Sequence, residues 1–281
     1  MGLLSRIFSH ARSGSTTGNY YSSMNEALLK FNDEYTMLHY PYFESTSDSF
    51  LEAQANLTDY CMSLLPSVDG KKLLEVGCGN GVQSLYLHEK YSPGHINAID
   101  LNDCNIDIAR KEAEKKGIKG IIFQVDDAHH LTTIESNTMD FVINIESAFH
   151  YPDKTQFLRQ MHRVLKPEGA FVIADILTRN IRNKRLKSRW KRKMSYHHWP
   201  LSKYEAELPR AGFQNVNSTD ITLKVIRGFA CYKRWLREMK KGHFIEDLML
   251  KLYYTIHTRL NMYLLKNRQQ YVVFVGAKTL W

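Results

Sequence analysis

The residues with the clearest chemical meaning run from Leu73 to Gly81, Leu-Leu-Glu-Val-Gly-Cys-Gly-Asn-Gly. Leu73, Leu74 and Val76 have the apolar character of a buried parallel strand, while Val82, Leu85, Tyr86 and Leu87 open a helical pattern directly after Gly81. A glycine-rich turn therefore joins strand to helix. Without Cβ atoms it can take positive φ, let a ligand approach the backbone and present that ligand to a helix N-terminus, as a nucleotide-like cofactor site requires. The spacing is Gly77-x-Gly79-x-Gly81, not the GxGxxG of a dinucleotide site, and Glu75, two residues earlier, would repel a pyrophosphate. An acidic lip suits a cofactor of net positive charge. S-adenosylmethionine, with a sulfonium, an ammonium and one carboxylate, is such a molecule.

The following strands place more acids. His95 to Asp100 reads as a strand ending in Asp100, 23 residues after Gly77, where a carboxylate can accept both ribose hydroxyls; the alternative is an Asp that caps the next helix. Ile121 to Val125 is a third strand, leading to Asp126-Asp127-Ala128-His129-His130-Leu131, and Met139 to Ile145 a fourth, leading to Glu146-Ser147-Ala148-Phe149-His150-Tyr151-Pro152-Asp153. A helix from Asp153 to Leu165, a turn at Pro167 to Gly169 and a fifth strand to Asp175 follow. Helices at Gly81 to Tyr91 and Asp103 to Lys116 complete an alternation that gives a parallel sheet, with ligands at the carboxyl ends of its strands. Glu75, Asp100, Asp127 and Glu146 all fall at such ends.

This series resembles the class I S-adenosylmethionine-dependent methyltransferases, and within them the small-molecule branch of tocopherol, sterol and rebeccamycin-type sugar methyltransferases, whose fourth strand ends in an E-S-x-x-H pattern. The resemblance covers about residues 35 to 281. It implies an α/β fold: a Rossmann-like, seven-stranded, mostly parallel sheet with helices on both faces. It also implies cofactor contacts at Glu75, Gly77, Gly79, Asp100, Leu101, Asp127 and Ala128, with Cys78, Gly81 and Asn144 counted among them. Asp127 fits the family's D-A-x-x-L because Leu131 falls four positions later; Asp126 is then a turn acid. The implied reaction moves a methyl group to O or C of a small, largely apolar acceptor of phenol, quinone, prenyl-lipid or polyketide type. His39-Tyr40-Pro41-Tyr42-Phe43 is similar to a substrate-covering segment of the family, with Pro41 where glycine is commoner; the alternative is that these rings pack on the sheet.

Displacement at a sulfonium methyl is in-line, so positioning the acceptor is worth roughly 7 to 11 kcal/mol. Where the acceptor must lose a proton, a base adds about 10² to 10⁴ in rate. His150 is the first candidate for that base, since it follows the fourth strand and an unperturbed imidazole titrates at about pH 6.5; the alternative is a structural His in a loop. Glu146 would orient the acceptor or the cofactor's ammonium, and Tyr151 would hydrogen-bond the substrate. His197 and His198, beside Trp199, are further candidates.

The elements that position these residues follow from pattern and composition. With 281 residues and 43% hydrophobic content the chain suits one large domain. We divide it into a flexible tail at 1–20 and a methyltransferase-like domain at 21–281, with a basic loop at 179–200 and a helical lid inserted at 225–268 between strands six and seven. Ser49-Phe50-Leu51-Glu52 and Ser202-Lys203-Tyr204-Glu205 read as capping boxes, the second opening a helix that stops at Ala211-Gly212. Phe213 to Asp220 and Gln269 to Lys278 are the sixth and seventh strands. The insertion between them carries Phe229, Tyr232, Trp235, Phe244, Tyr253, Tyr254 and Tyr263, which suits a lid over the active site; a dimer contact or a core-packing helix pair is the alternative.

No run of 18 apolar residues occurs, which argues against a transmembrane helix. Cys61, Cys78, Cys104 and Cys231 lack CxxC spacing, so we expect reduced thiols, no metal site and a cytoplasmic protein. The net charge of +9 is local: Arg179 to Lys193 holds nine of the 38 basic residues and no acid, and the remaining 29 balance the 29 acids. A solvated loop, peripheral contact with an anionic membrane and contact with nucleic acid are the three readings of that run. Asn144-Ile145-Glu146-Ser147, in place of an N/D-P-P-Y/F motif, argues against a nucleic-acid methyltransferase. A non-catalytic cofactor-binding protein is the alternative from another class. Residues 1–25 hold no acid, as a mitochondrial transit segment, a membrane-surface anchor or a disordered tail would. Oligomeric state is not legible.

Overall fold

The structure, a computed structural model, describes residues 21–22, 24–26, 29, 34–179, 196–238 and 244–279. The tail at 1–20 and all of the basic run except Arg179 lie outside the described residues. Helix α1 (Phe50–Ser63) starts at the expected capping box: Ser49 Oγ accepts from the Glu52 amide, and the Glu52 carboxylate accepts from the Ser49 amide. There follow β1 (Lys72–Val76), α2 (Val82–Tyr91), β2 (His95–Asp100), α3 (Asp103–Lys115), β3 (Ile121–Val125), β4 (Met139–Ile145) and α4 (Lys154–Val164). The second half comprises β5 (Leu165–Thr178), α5 (Leu201–Arg210), β6 (Phe213–Asp220), α6 (Thr222–Glu238), α7 (Phe244–Asn267) and β7 (Gln269–Lys278).

The seven strands form one sheet in the order β3-β2-β1-β4-β5-β7-β6, with β1 to β5 parallel and β7 antiparallel to both of its neighbours. The strand order reverses between β1 and β4, and a crevice opens at such a switch point beyond the carboxyl ends of the strands. Two local features depart from the sequence reading. Leu165 already pairs with Met139, and the expected Pro/Gly turn is a bulge within β5 that brings Ala170 opposite Phe141. The second capping box does not form, because α5 begins two residues earlier, at Leu201 with Pro200 rather than Ser202 at the N-cap.

Alternation along each strand sends side chains to two buried layers. Leu73, Ile143 and Val172 join α1, α2 and α3 residues such as Leu57, Leu85 and Ile106, together with Val225, Phe229 and Leu265 of the inserted helices. Leu74, Val142, Phe171 and Ile173 face Phe157, Met161, Tyr204 and Leu208 of α4 and α5. The insertion thus supplies part of the core. Its rings also pack on α1, with Tyr232 and Trp235 both against Phe50 at about 5 Å between centroids.

One ionic cluster is sealed in the second layer. The Lys154 ammonium, fully buried, lies 3.8 Å from the buried Asp175 carboxylate and donates to the His197 carbonyl, while Tyr204 donates to Asp175 at 2.7 Å. Burial lowers the Lys154 pKa and raises that of Asp175. Removing one partner leaves the other charge in an apolar layer, so Lys154→Met or Asp175→Leu alone should cost about 3 to 5 kcal/mol in urea unfolding. The double variant should cost clearly less than the two summed; strict additivity would show that the pair does not interact.

Candidate functional site

The glycine turn after β1 is held from two sides. The amides of Gly77 and Cys78 both donate to the Ile99 carbonyl of β2, at 2.8 and 2.9 Å. Asp100, one residue on, accepts from the Gly79 amide at 2.9 Å through one oxygen and from the Asn102 amide at 2.9 Å through the other. Gly77 has φ +78°, and a Cβ there would lie 2.3 Å from Ser147 Oγ and 3.1 Å from the Tyr151 hydroxyl. Any side chain at this position would press into the wall formed by the β4 loop. Burial raises the Asp100 pKa, against the pull of the amides that donate to it.

A cavity of about 690 Å³ opens over this turn. Gly77, Gly79, Asp100, Leu101, Asp127 and Ala128 line it, and so do Glu146, Ser147, His150 and Tyr151. Cys78 and Glu75 line it as well. Leu101 is 71% exposed, an apolar side chain left bare beside the Asp100 carboxylate. Asp127 accepts from the amide and the Nδ1 of His129, at 2.8 and 2.6 Å. The Asp153 amide donates to His129 Nε2, which puts the ring proton on Nδ1 when the imidazole is neutral. Burial pushes Asp127 up, but the bonds from His129 outweigh it and hold the carboxyl below its usual range. Asp126 instead turns to Thr132, Thr133 and the Asp127 amide.

Two carboxyls at strand ends are buried in a different manner. Glu75 accepts from Gln83 at 2.8 Å and from Ser84 at 2.5 Å, both on α2, so both its oxygens already have partners. Glu146, at φ +54°, accepts from the Tyr40 amide at 2.7 Å and the Tyr271 hydroxyl at 3.0 Å through a single oxygen. Burial pushes each up to about 8. His150 sits on the short helical turn Ala148–His150, its Nε2 2.9 Å from the Tyr21 hydroxyl, among the rings of Phe149 and Tyr196. The Tyr151 hydroxyl is bonded to Ser147 Oγ at 2.9 Å and to the Asn144 amide at 3.1 Å, and burial raises its pKa.

Two residues expected to touch a cofactor lie behind the cavity wall. Gly81 begins α2, and a Cβ there would meet that of Ala109 at 2.4 Å, so this glycine serves the close packing of α2 on α3. Asn144 is fully buried and donates to the Val76 carbonyl at 2.8 Å, tying the ends of β1 and β4 together. Of the other histidines, His197 lines the cavity, whereas His198 is turned to the Ile176 carbonyl and to Gln269. None of the described residues of α6 or α7 lines it. Phe229 reaches instead the Tyr40 ring at 5.1 Å, one layer behind Glu146.

Several contributors carried no signal that the sequence reading used. Tyr21, Met37 and Leu38 line the cavity, as does His39 of the segment read as substrate-covering. Asn25, 1% exposed, accepts from Asn80 of the glycine turn and donates to Asn105 of α3, both at 2.9 Å. Asn25 is therefore pinned between the glycine turn and α3. Among the described residues no group of His, Cys, Asp or Glu could hold a metal ion, and no helix is long and apolar enough to cross a membrane.

A family model described as a methyltransferase domain matches residues 67–238. The chain is 33% identical over 166 residues to the methyltransferase GfsG of Streptomyces halstedii, 58% of each chain. It is 29% identical over 204 residues to a fatty-acid O-methyltransferase of Mycolicibacterium smegmatis, 70% of this chain and 66% of that one. The matched stretch spans less than two thirds of either relative. The crystal structure of the [4+2]-cyclase SpnF superposes with a TM-score of 0.75 at 20% identity, covering 95% of this chain and 98% of that one, a likeness of fold.

The raised carboxyls make a testable pH dependence. Glu75 and Glu146 rise from the ordinary 4.5 to about 8 on folding, so the folded chain keeps protons that the unfolded chain has released. Their stabilising share is complete below about pH 4.5 and is lost as pH climbs through about 8. Glu75→Gln should shrink the fall in Tm between about pH 5.5 and 8.5 by about 5 °C in scanning calorimetry. An unchanged fall would mean that this carboxyl is already ionised.

Proposed function

Because the chain belongs to the methyltransferase-domain family, we propose that it transfers a methyl group from S-adenosylmethionine to O or C of a small, largely apolar acceptor of phenol, quinone, prenyl-lipid or polyketide type. The observation that carries this reading is the lining shared by one cavity: a glycine turn with the Asp100 and Asp127 carboxylates, and the His150 imidazole among aromatic rings. The residues fit the cofactor. Gly77 offers a cradle that a Cβ would fill, Asp100 suits two ribose hydroxyls, and the bare Leu101 side chain beside it, with Ala128, suits the adenine ring. Asp127, held ionised, suits the exocyclic amine. When bound, the cofactor supplies an electrophilic methyl group on a sulfonium.

The chain's own residues do the remainder. His150 takes the acceptor's proton, and the Tyr21 hydroxyl at its Nε2 sets the orientation of the ring. Glu146, largely neutral at pH 7, retains an oxygen for the acceptor or the cofactor's ammonium, while Tyr151 keeps Ser147 against the glycine turn. The described pocket rings exclude water, and α6 supports them from behind through Tyr40. Relatives named for a fatty acid and for phthiotriol dimycocerosates support an apolar acceptor. We place the protein in the cytoplasm, with Arg179 to Lys193 available for peripheral contact with anionic membrane.

Calorimetry with S-adenosylmethionine and its demethylated product should give binding that Asp100→Ala weakens at least about tenfold, the loss of a charged hydrogen-bond acceptor. No heat with either ligand would defeat the reading. With an acceptor identified by mass spectrometry of co-purified material, His150→Ala and His150→Gln should each lower turnover by about 10² to 10⁴ while leaving cofactor affinity intact. Full turnover in both would remove His150 as the base.

A further inference from the structure

Helix α7 buries one side and exposes apolar residues on the opposite one. Tyr254, Thr258, Asn261 and Leu265 face inward and are buried. Half a turn away, Leu248, Leu252, Ile256, Leu260 and Tyr263 recur at helical spacing with exposures of 57, 58, 57, 46 and 54%. A surface helix ordinarily sets charged residues on that side. Here a ridge of large apolar side chains extends over about four turns of helix.

Past Glu246 and Asp247, the charge along the helix is of one sign. From residue 248 to 268 the sequence contains no Asp or Glu, while Lys251, Arg259, Lys266 and Arg268 are cationic. Arg259 and Lys266, seven residues apart and both exposed, follow one edge of the ridge. At its end, Lys266 joins Arg179 and Lys224 around Leu223, which is 72% exposed. Arg179 is anchored there by its amide on the Arg268 carbonyl at 2.9 Å and its Nε on the Gln269 carbonyl at 2.7 Å. The single carboxylate in that hollow, Asp220, is turned to the amide and hydroxyl of Thr222.

From this arrangement we propose that the outer face of α7 docks on an anionic lipid surface, its leucine and isoleucine side chains entering the headgroup boundary while Arg259, Lys266, Lys224 and Arg179 meet lipid phosphates. Apolar side chains on one helix face with cations along its margin are what an interfacial helix requires. A second copy of the chain fits the ridge poorly. A two-fold contact in which the two α7 helices run parallel would set Arg259 and Lys266 against their own kind, in a seam with no carboxylate between residues 248 and 268. Docking of this face does not depend on the methyl-transfer reading.

The test is co-sedimentation of the full chain with vesicles of phosphatidylcholine, or of phosphatidylcholine and phosphatidylglycerol in equal parts. The wild type should bind the anionic vesicles and leave the neutral ones, with binding that weakens as salt is raised. Leu252→Gln with Ile256→Gln should lower partitioning at least about tenfold, and Arg259→Gln with Lys266→Gln should lower it and flatten the salt dependence. Melting temperature and calorimetric affinity for S-adenosylhomocysteine should not move, because all four side chains are on the outside; Leu260→Gln with Tyr263→Gln serves if the first pair disturbs folding. Three results would overturn the proposal. They are absence of wild-type binding to anionic vesicles, unchanged binding by the Leu252 and Ile256 variant, and a wild-type dimer in ultracentrifugation that this variant converts to monomer.

Discussion

One carboxylate sets the shape of the crevice. Asp100 stands at the end of β2 with each oxygen taking a backbone amide, Gly79 on one side and Asn102 on the other. That pair of bonds draws the glycine turn onto the neighbouring strand and fixes where its amides point. Asn105 adds a third, longer bond at 3.4 Å, and through Asn25 and Asn80 the same network reaches back to the turn. A carboxylate so placed is both a brace and an acceptor, and its buried position raises the cost of leaving it without polar company. The turn, the first two strands and the segment before α1 depend on one another through it.

The sheet is asymmetric in how it buries charge. On the layer shared with α2, Glu75 is satisfied by neutral donors, Gln83 and Ser84, and rises to about 8. On the opposite layer Asp175 has a cation, Lys154, as well as the Tyr204 hydroxyl. The first arrangement leaves a group able to gain or lose a proton near neutrality beside the crevice; the second locks the segment at His197 against α4 through the Lys154 bond to its carbonyl. Because the His197 amide in turn donates to Phe149 at 2.6 Å, the aromatic wall around His150 inherits the rigidity of that ionic cluster.

Much of this was legible in the residues themselves. The second, third, fourth, sixth and seventh strands run between the residues expected; all but the sixth are apolar or β-branched runs bounded by turn or helix-capping residues, while the sixth, mostly polar, is marked by the Ala211-Gly212 helix stop before it. Alternation of strand and helix pointed to the parallel strands, the family resemblance implied the seven-stranded sheet, and the helical insertion was read between the sixth and seventh strands. What escaped was long-range. Tyr21 and His150 are 129 positions apart, and no local periodicity announces such a pair. Gly81 and Asn144 were read from their motifs as ligand contacts, yet a glycine needed for helix packing and an Asn tying two strand ends have the same local spacing as ones that face a ligand. The bulge in β5 was hidden for a related reason: Pro167 and Gly169 signal an interruption, and only the register with β4 decides that the strand resumes across it.

The order of the strands bears on how the chain reaches its working form. Strand β7, late in sequence, is wedged between β5 and β6 and carries Tyr271, whose hydroxyl reaches Glu146. While a ribosome is still threading out the inserted helices, the nascent sheet has an open seam on the far side of β5, and the β4 loop lacks one of its donors. The crevice therefore cannot mature until β7 has been made and inserted, and a chaperone guarding that seam would be guarding the place of the hydroxyl that Glu146 still awaits.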